Sequence, residues 1–488
     1  MPKTSAPAQA RTNQTPVATG PSNGPAKSPG AGMTYQAAVK YLHDRVDIER
    51  MHAGRVPRDL FKLDRMRAIM NLLGNPHDAV KCIHVAGTKG KGSTCEMTAT
   101  CLEACGYTVG TYTTPHLIDI RERIRVNRRL IPHAEFAGVA QKIADAAAKL
   151  PPEIGTPTSF ELTTAMCFQY FADQAVDLAV IECGLGGRLD STNVITPLVS
   201  AITSISLDHT QLLGQTVELI AREKAGIFKP GVPAVTVQHV PSVTAVLREV
   251  ATDVGTPLQV VGEDIDFSFR HDAGSGRPRH GEKSVPPVTR ISLSTRRSSY
   301  EHIPVPLKGE HQAQNCGLTL AILDKLTERG MDISETKVMQ GLERVQLAGR
   351  MEMACESPRI LLDGAHNPES IKCLMKAIGS HIGYDSLVVI FGCAADKDVR
   401  GILQQLSLGA DKAIFTRAAG NARAADPREL TRVYNDICGK GGQSADNFAE
   451  ALKLAMRAVG RGDLICVTGS FYLVGEAKKL LKELPANK

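Results

Sequence analysis

The chain has 488 residues, of which 43% are hydrophobic and 22% charged, and its formal net charge is +6. That length favours two or more domains with sizeable cores. A charge this thinly spread, with 4% aromatics and no basic run interleaved with them, argues against nucleic acid as a partner. No apolar run reaches the ~18 residues that span a bilayer, and no signal-peptide core stands near the start. The twelve cysteines are scattered, with no CxxC pair and no zinc spacing. Cys82, Cys95, Cys101, Cys167 and Cys183 sit in apolar contexts and read as core residues of a reducing, cytoplasmic protein.

In chain order, residues 1–32 hold six prolines, no acid and almost no large apolar residue. Such a segment cannot bury enough surface to offset its ordering entropy, so a disordered tail is expected. From Met33 strands and helices alternate. CIHVAG reads as a short buried strand and STCEMTATCLEACG as a helix closed by Gly106. TVGTYTT, DLAVIECG and VSAITSIS read as further buried strands, and TVELIAREKAGIF as a helix. This is the βαβ rhythm of an α/β, P-loop NTPase-like domain with a doubly wound parallel sheet. Residues 271–284 are polar and glycine-rich and predict a surface loop within a β-rich insertion. From 359 the rhythm restarts with RILLDGAHNPES, SLVVIFGCAADKDV, DKAIFTRA and DLICVTGSFY, which predicts a second, smaller Rossmann-like α/β domain. The expected divisions are a tail at 1–32, a central domain at 33–342, a linker at 343–349 and a C-terminal domain at 350–488.

The most telling stretch is HVAGTKGKGST, residues 84–94. An apolar strand runs into glycines, lysines and hydroxyls and then into a helix. Glycines let successive N–H groups converge on one anion, and a helix N-terminus adds partial positive charge. The loop Gly87, Thr88, Gly90, Lys91, Gly92, Ser93 and Thr94 therefore reads as a nucleotide triphosphate cradle. Lys91 reaches the outer phosphates, and the hydroxyl of Ser93 or Thr94 is offered to Mg²⁺. The strict GxxxxGK[ST] pattern is not met, because Gly92 follows the lysine.

In IECGLGGRLDSTN, Glu182 ends a strand on the ligand-binding edge of such a sheet and offers a hard oxygen to Mg²⁺. Arg188 and Asp190 offer charge to a substrate. His209 follows another strand on the same edge. Lys224, between Glu223 and Lys229, reads on sequence physics alone as part of a solvated helical face. Asp363 and His366 end a strand of the second domain, which suggests a cleft closing over ATP.

Taken in order, LLGNP (72–76), HVAGTKGKGST, YTTPHLIDIRERI (112–124), TSFELTT (158–164), IECGLGGRLDSTN, SLDHTQLLGQT with IAREKAGIFKPG (206–231), HQAQN (311–315) and LLDGAHNP resemble the folylpolyglutamate synthase/dihydrofolate synthase family of the Mur ligase superfamily. The resemblance runs from about residue 33 to the end. It implies ATP-dependent amide formation between a pteroate or folate carboxylate and the amine of L-glutamate, through an acyl phosphate. It implies Mg²⁺ held by Ser93, Thr114, Glu182, His209 and Lys224, the last as a carbamate. It makes Lys91, Lys224, His209 and Glu182 the catalytic set. ATP is completed by Asn315, Arg350, Asp363 and His366, and the pterin side by Ser159, Phe160, Leu189, Asp190 and Ser191. A single chain acting as a monomer is expected, because the family's site is built within one chain. Three departures stand out. The family's usual asparagine in the phosphate loop is Lys89 here, the usual serine before the Pro-His is Thr114, and the usual tryptophan and proline before Gly349-Arg350 are Leu347 and Ala348.

Overall fold

The structure is a computed structural model that describes residues 32–47, 51, 57, 60–272, 287–421, 423–439 and 441–483. The expected tail up to residue 31 and the part of the expected loop from residue 273 lie outside the described residues.

The first sheet holds β1 (Cys82–Ala86), β2 (Val109–Tyr112), β3 (Ile124–Val126), β4 (Arg129–Leu130), β5 (Leu178–Glu182), β6 (Val199–Ile202), β7 (Ala234–Thr236) and β8 (Leu258–Val260). Their spatial order is β4-β3-β2-β5-β1-β6-β7-β8. The six strands from β2 to β8 in that order run parallel. Every residue of β1 and of β5 is buried, as continuous apolar runs require when both faces of a sheet are covered. Alternate residues serve opposite cores. Ile83, Val85 and Val180 pack with Met97, Leu318 and Ile322, whereas Cys82, Ala179 and Ile181 pack with Met70, Phe136 and Phe168.

Register decides what reaches the functional edge. Val85 pairs with Glu182 and Ala86 with Ile202, so β5, β1 and β6 end side by side at nearly one level. The loops that follow them must therefore share one edge. The helix Lys91–Ala104 leaves that edge with Ser93 through Leu102 buried, wedged behind the sheet by helices Glu310–Glu328 and Glu335–Glu343.

The remaining strands are β9 (Asp266–Asp272), β10 (Val288–Ser294) and β11 (Ser299–Pro304), an antiparallel sheet, and then β12 (Glu352–Glu356), β13 (Arg359–Leu362), β14 (Leu387–Phe391), β15 (Lys412–Phe415), β16 (Gln443–Ser444) and β17 (Leu464–Thr468). The last six form a sheet in the order β12-β13-β17-β14-β15-β16, parallel except for β12. Its faces also divide by alternation, with Leu361, Val389 and Phe391 on one core and Leu362, Val388 and Ile390 on the other.

The edges differ from a purely parallel expectation. β3 and β4 form a hairpin on which β2 ends, and its two-residue turn is Asn127-Arg128 with φ of 47° and 62°. Two positive φ values are what a tight hairpin of matching twist needs. Without a glycine, and between arginine-rich arms, that turn carries little signal in the sequence. Among the described residues no helix is long and apolar enough to cross a membrane.

A Cβ on Gly341 would lie 2.7 Å from the Cα of Cys101 and 2.9 Å from the Thr100 carbonyl, so two helix backbones touch behind the phosphate loop. Gly341→Ala is expected to destabilise the fold by ~1–3 kcal/mol, because backbone cannot step aside. Chemical denaturation checks this; an unchanged midpoint would mean that the two helices do not pack so closely.

Candidate active site

The phosphate loop leaves β1 at Gly87 and enters its helix at Lys91. Gly87 has φ of 150° and Gly90 has φ of 90°. A Cβ at Gly87 would sit 1.7 Å from Thr203 Oγ1, and one at Gly90 would sit 2.3 Å from Asn315 Oδ1, so both glycines are required by close approach. Lys91 Nζ donates to the Gly87 carbonyl at 3.1 Å, and Lys224 Nζ donates to the same oxygen at 2.8 Å. Among the described residues neither ammonium has an ion-pair partner. Two lysine amines thus crowd one carbonyl at the mouth of an anion cradle.

The solvated-face expectation for Lys224 is overturned. The helix Val217–Ala225 buries Ile220, Ala221, Lys224 and Ala225, and Lys224 is 4% exposed. Burial and then the Lys91 charge push its amine down to about 7, so much of it is uncharged near neutral pH.

Glu182, 4% exposed, accepts a hydrogen bond from the Thr114 backbone N–H at 3.1 Å. Its Oε2 lies 3.5 Å from where a Gly92 Cβ would stand, against the phosphate loop. His209 has φ of 48°, a left-handed conformation that costs a non-glycine residue about 1 kcal/mol and often marks a functional position. Crowding by protein lowers its pKa against the pull of Asp208, and its side chain is 44% exposed to the cleft. Among the described residues no three His, Cys, Asp or Glu side chains cluster as a ready metal site. One carboxylate, two hydroxyls and a neutral imidazole suit Mg²⁺, which keeps waters and takes one or two carboxylates plus substrate phosphates.

Across the cleft, Asp363 is buried, and burial pushes its carboxyl up. Both its oxygens accept backbone N–H groups, from Met351 and from Ala365, each at 2.9 Å. It thereby fixes the turn that carries Arg350, whose guanidinium lies 4.5 Å from the Phe471 ring centre. His366 faces the phosphate loop from the turn that follows β13 and begins at Asp363. Asn315 Nδ2 donates to Gln312 at 2.9 Å on the first turns of the helix behind Gly90.

On the substrate side, Phe160 closes over Gly184, where a Cβ would lie 2.6 Å from its ring. Leu189 and Ser191 line the cleft beside it. Arg188 and Asp190 spend their charge locally, unlike the expectation that they serve a substrate. Arg188 pairs with Glu223 at 2.8 Å. Asp190 accepts from Leu185 N at 2.8 Å and Thr192 N at 3.0 Å, and so shapes the loop.

One cleft of about 1180 Å³ joins these groups. It is lined by Gly87, Thr88, Gly90, Lys91, Gly92, Ser93, Thr114, Phe160, Glu182, Leu189, Asp190, Ser191, His209, Lys224, Asn315, Arg350, Asp363 and His366. Three expected residues stand outside it, Arg188, Thr94 and Ser159, the first turned to Glu223. Thr94 is fully buried with its hydroxyl unpartnered, because the helix turns it inward after Ser93. Ser159 faces a small side cavity with His116 and Arg123. Sequence reasoning passed over Asp208, Lys397, Gln312 and Phe471, which also line the cleft. The run ADKD after a strand was the available signal for Lys397.

Known proteins match this architecture. The Mur ligase middle domain matches residues 85–323, and the Mur ligase glutamate ligase domain matches residues 349–471. The dihydrofolate synthase/folylpolyglutamate synthase of Bacillus subtilis is 34% identical over 454 residues, covering 92% of this chain and 99% of that protein. The Escherichia coli protein of the same name is 31% identical, covering 93% and 97%. Among solved structures, Mycobacterium tuberculosis folylpolyglutamate synthase complexed with ADP and AMPPCP superposes with a TM-score of 0.79 at 31% identity, covering 87% of this chain and 96% of that one. Escherichia coli FolC in complex with DHPP and ADP gives 0.77 at 29% identity, covering 93% and 99%. Two α/β sheets facing each other across a phosphate loop are those of a Mur-type ligase. Within that class the chain belongs to the dihydrofolate synthase/folylpolyglutamate synthase family.

Gly90→Ala tests the cradle. A methyl there must displace Asn315 and strains a φ that favours glycine. ADP and ATP affinity by calorimetry is expected to fall at least ~10-fold, a loss of about 1.4 kcal/mol, and the strained φ is expected to lower thermal stability as well. Undiminished affinity would remove this loop from nucleotide binding.

Proposed function

We propose that this protein is an ATP-dependent ligase that joins L-glutamate by an amide bond to dihydropteroate and to the glutamate tail of reduced folates, through an acyl phosphate. The observation that carries the reading is the single cleft in which a glycine-bounded phosphate loop, Glu182 and the buried Lys224 face Arg350 and Asp363 of the second sheet.

A carboxylate approaching a polyphosphate meets like-charge repulsion. Lys91, held at the loop by the Gly87 carbonyl, neutralises part of that charge and stabilises the phosphoryl group in flight. Arg350, positioned through Asp363, faces the nucleotide from the second sheet, with Asn315 behind the loop. The folate carboxylate displaces ADP from the γ-phosphorus. The glutamate amine then attacks the acyl carbon, phosphate leaves, and the amine proton passes to solvent. Phe160, Leu189 and Ser191 hold the pterin side, and Asp190 holds their loop.

Ser93, Thr114, Glu182, His209 and a carbamate of Lys224 would hold Mg²⁺, which supplies charge neutralisation at the phosphate oxygens when bound. The Lys224 amine has the right chemistry for the carbamate. Uncharged amine adds CO₂, releases one proton and becomes an anion, which turns an unpaired buried cation into a partner for Lys91. Every proposed group lies in one chain, which supports action as a monomer, with the divide between the two halves near 343–349. The family and the reduced core cysteines support a cytoplasmic enzyme.

ADP release would be measured with Mg·ATP, L-glutamate and bicarbonate, in parallel with 7,8-dihydropteroate and tetrahydrofolate. Turnover with both is expected. Turnover with one restricts the enzyme to that step, and silence with both despite ATP binding refutes the substrate assignment. Lys224→Ala is expected to keep the fold and to lose at least ~100-fold in turnover, with partial rescue by a short carboxylic acid. Full activity in that variant would remove the carbamate from the mechanism.

A further inference from the structure

The phosphate loop carries a second lysine, Lys89, that the proposed chemistry does not use, and its charge has a specific destination. Lys89 Nζ lies 3.0 Å from Asp208 Oδ2 and 3.0 Å from His366 Nε2. The other oxygen of Asp208 accepts from Lys397 Nζ at 3.2 Å. Lys89 and Asp208 belong to loops of the first sheet, and Lys397 and His366 to loops of the second. The chain Lys397–Asp208–Lys89–His366 therefore crosses between the two sheets twice.

Partner chemistry fixes the proton on His366. Its Nδ1 lies 2.8 Å from the Gly364 carbonyl, which only accepts, so Nδ1 carries the hydrogen. Its Nε2 meets an ammonium, which only donates, so Nε2 presents its lone pair. Both contacts are satisfied by one species, the neutral Nδ1–H imidazole. A protonated ring would set N–H against N–H. The cluster is largely withdrawn from solvent, with side-chain exposures of 27% for Lys89, 11% for Asp208 and 20% for Lys397.

We propose that Lys89 is a positioning residue that ties the phosphate loop to the second sheet and fixes His366 as the Nδ1–H tautomer with its Nε2 lone pair held in the cleft. The groups facing His366 are Lys89, Lys397, Asp208, the Gly364 carbonyl and the Phe471 ring. The Lys89 charge, followed by burial, holds the imidazole well below its usual range, and Asp208 opposes this. Lys89 thus supplies the cation at this point of the cleft, and His366 supplies an acceptor. An asparagine there is shorter and uncharged, so it can neither span the gap nor supply the charge that acts with burial and Lys397 to hold the imidazole neutral. The effect on turnover rests on the ligase reading, but the state of His366 does not.

The test is long-range ¹H–¹⁵N spectroscopy of the full chain labelled at histidine, with His366 assigned by the signal missing in His366→Gln. In the wild type, the Nδ1–H pattern is expected, with the ring staying neutral well below the usual imidazole range. An Nε2–H tautomer, or protonation near pH 6.5, overturns the proposal without any variant. In Lys89→Met, His366 is expected to protonate at least one pH unit higher, whereas in Lys89→Arg it stays depressed. Equal titration in wild type and Lys89→Met overturns it. If Lys89→Met fails to fold, the wild-type tautomer and Lys89→Asn decide. In the ligase assay Lys89→Asn is expected to lower kcat about tenfold with the ATP KM within about threefold; unchanged turnover overturns the positioning role. A protein silent in every ligase assay that still shows the expected spectra would refute the substrate assignment alone.

Discussion

Positive charge held out of water is the constraint on which the site depends. Lys89, Lys91 and Lys224 converge on one loop. Lys91 and Lys224 share a single carbonyl, and Lys89 leans on Asp208. Burial pushes the Asp208 carboxyl up, but Lys89, His209 and Lys397 outweigh it and hold it well below the usual carboxylate range. A buried cation without a counter-charge is costly. On the proposed function, a polyphosphate would supply the missing charge and gain from the low dielectric around it. Burial also lowers Lys89 to about 8, with Asp208 opposing.

This charge can be gathered because of register rather than because of any one loop. β5, β1 and β6 end level, so Glu182, the phosphate loop and the Ser204–His209 turn emerge as neighbours. The second sheet repeats the device, with the turns after β13, β14 and β17 bringing Asp363, Lys397 and Phe471 to its facing edge. Crossovers in parallel sheets put all following loops on the carboxyl side, which is why strand-end residues far apart in sequence share a cleft.

The same logic explains what was legible beforehand. Buried parallel strands announce themselves as apolar runs ending in glycine, acid or histidine, so β1, β5, β6, β13 and β17, together with Glu182, His209 and Asp363, were readable. The hairpin of β3 and β4 was not, because Asn127 and Arg128 adopt positive φ without a glycine to mark it. On sequence physics alone Lys224 reads as exposed, because a short helix with charges on several positions has no clear face in sequence; its burial follows from packing of Ala221 and Ala225 against the sheet. Thr94 was over-assigned because the first helical turn rotates each successive hydroxyl by about 100°, which puts Ser93 on the cleft and Thr94 behind it. Asp208 and Lys397 pair across 189 positions, a separation at which no local pattern signals contact.

The two halves are joined unevenly. Beside the linker, Leu117 of the first half packs among Val474 and its neighbours in a core of the second, and a Cβ on Gly475 would lie 2.1 Å from the Leu117 carbonyl. Gly349, with φ of 66°, sits against the same two side chains. That contact is apolar and close-packed, and it has little freedom to slide. At the outer rim Glu310 pairs with Lys376, both more than half exposed, so that pair contributes little, and the His271 ring meets the His381 ring edge-on at 4.7 Å. Between them lies the partly buried chain through Asp208 and Lys89. The Leu117 contact is apolar and close-packed, whereas across the cleft the halves are joined through charge. Lys89 and Lys397 span that gap, while Lys91 and Lys224 stay on the loop of the first half, so an anion bound at the loop would meet both the spanning and the non-spanning lysines.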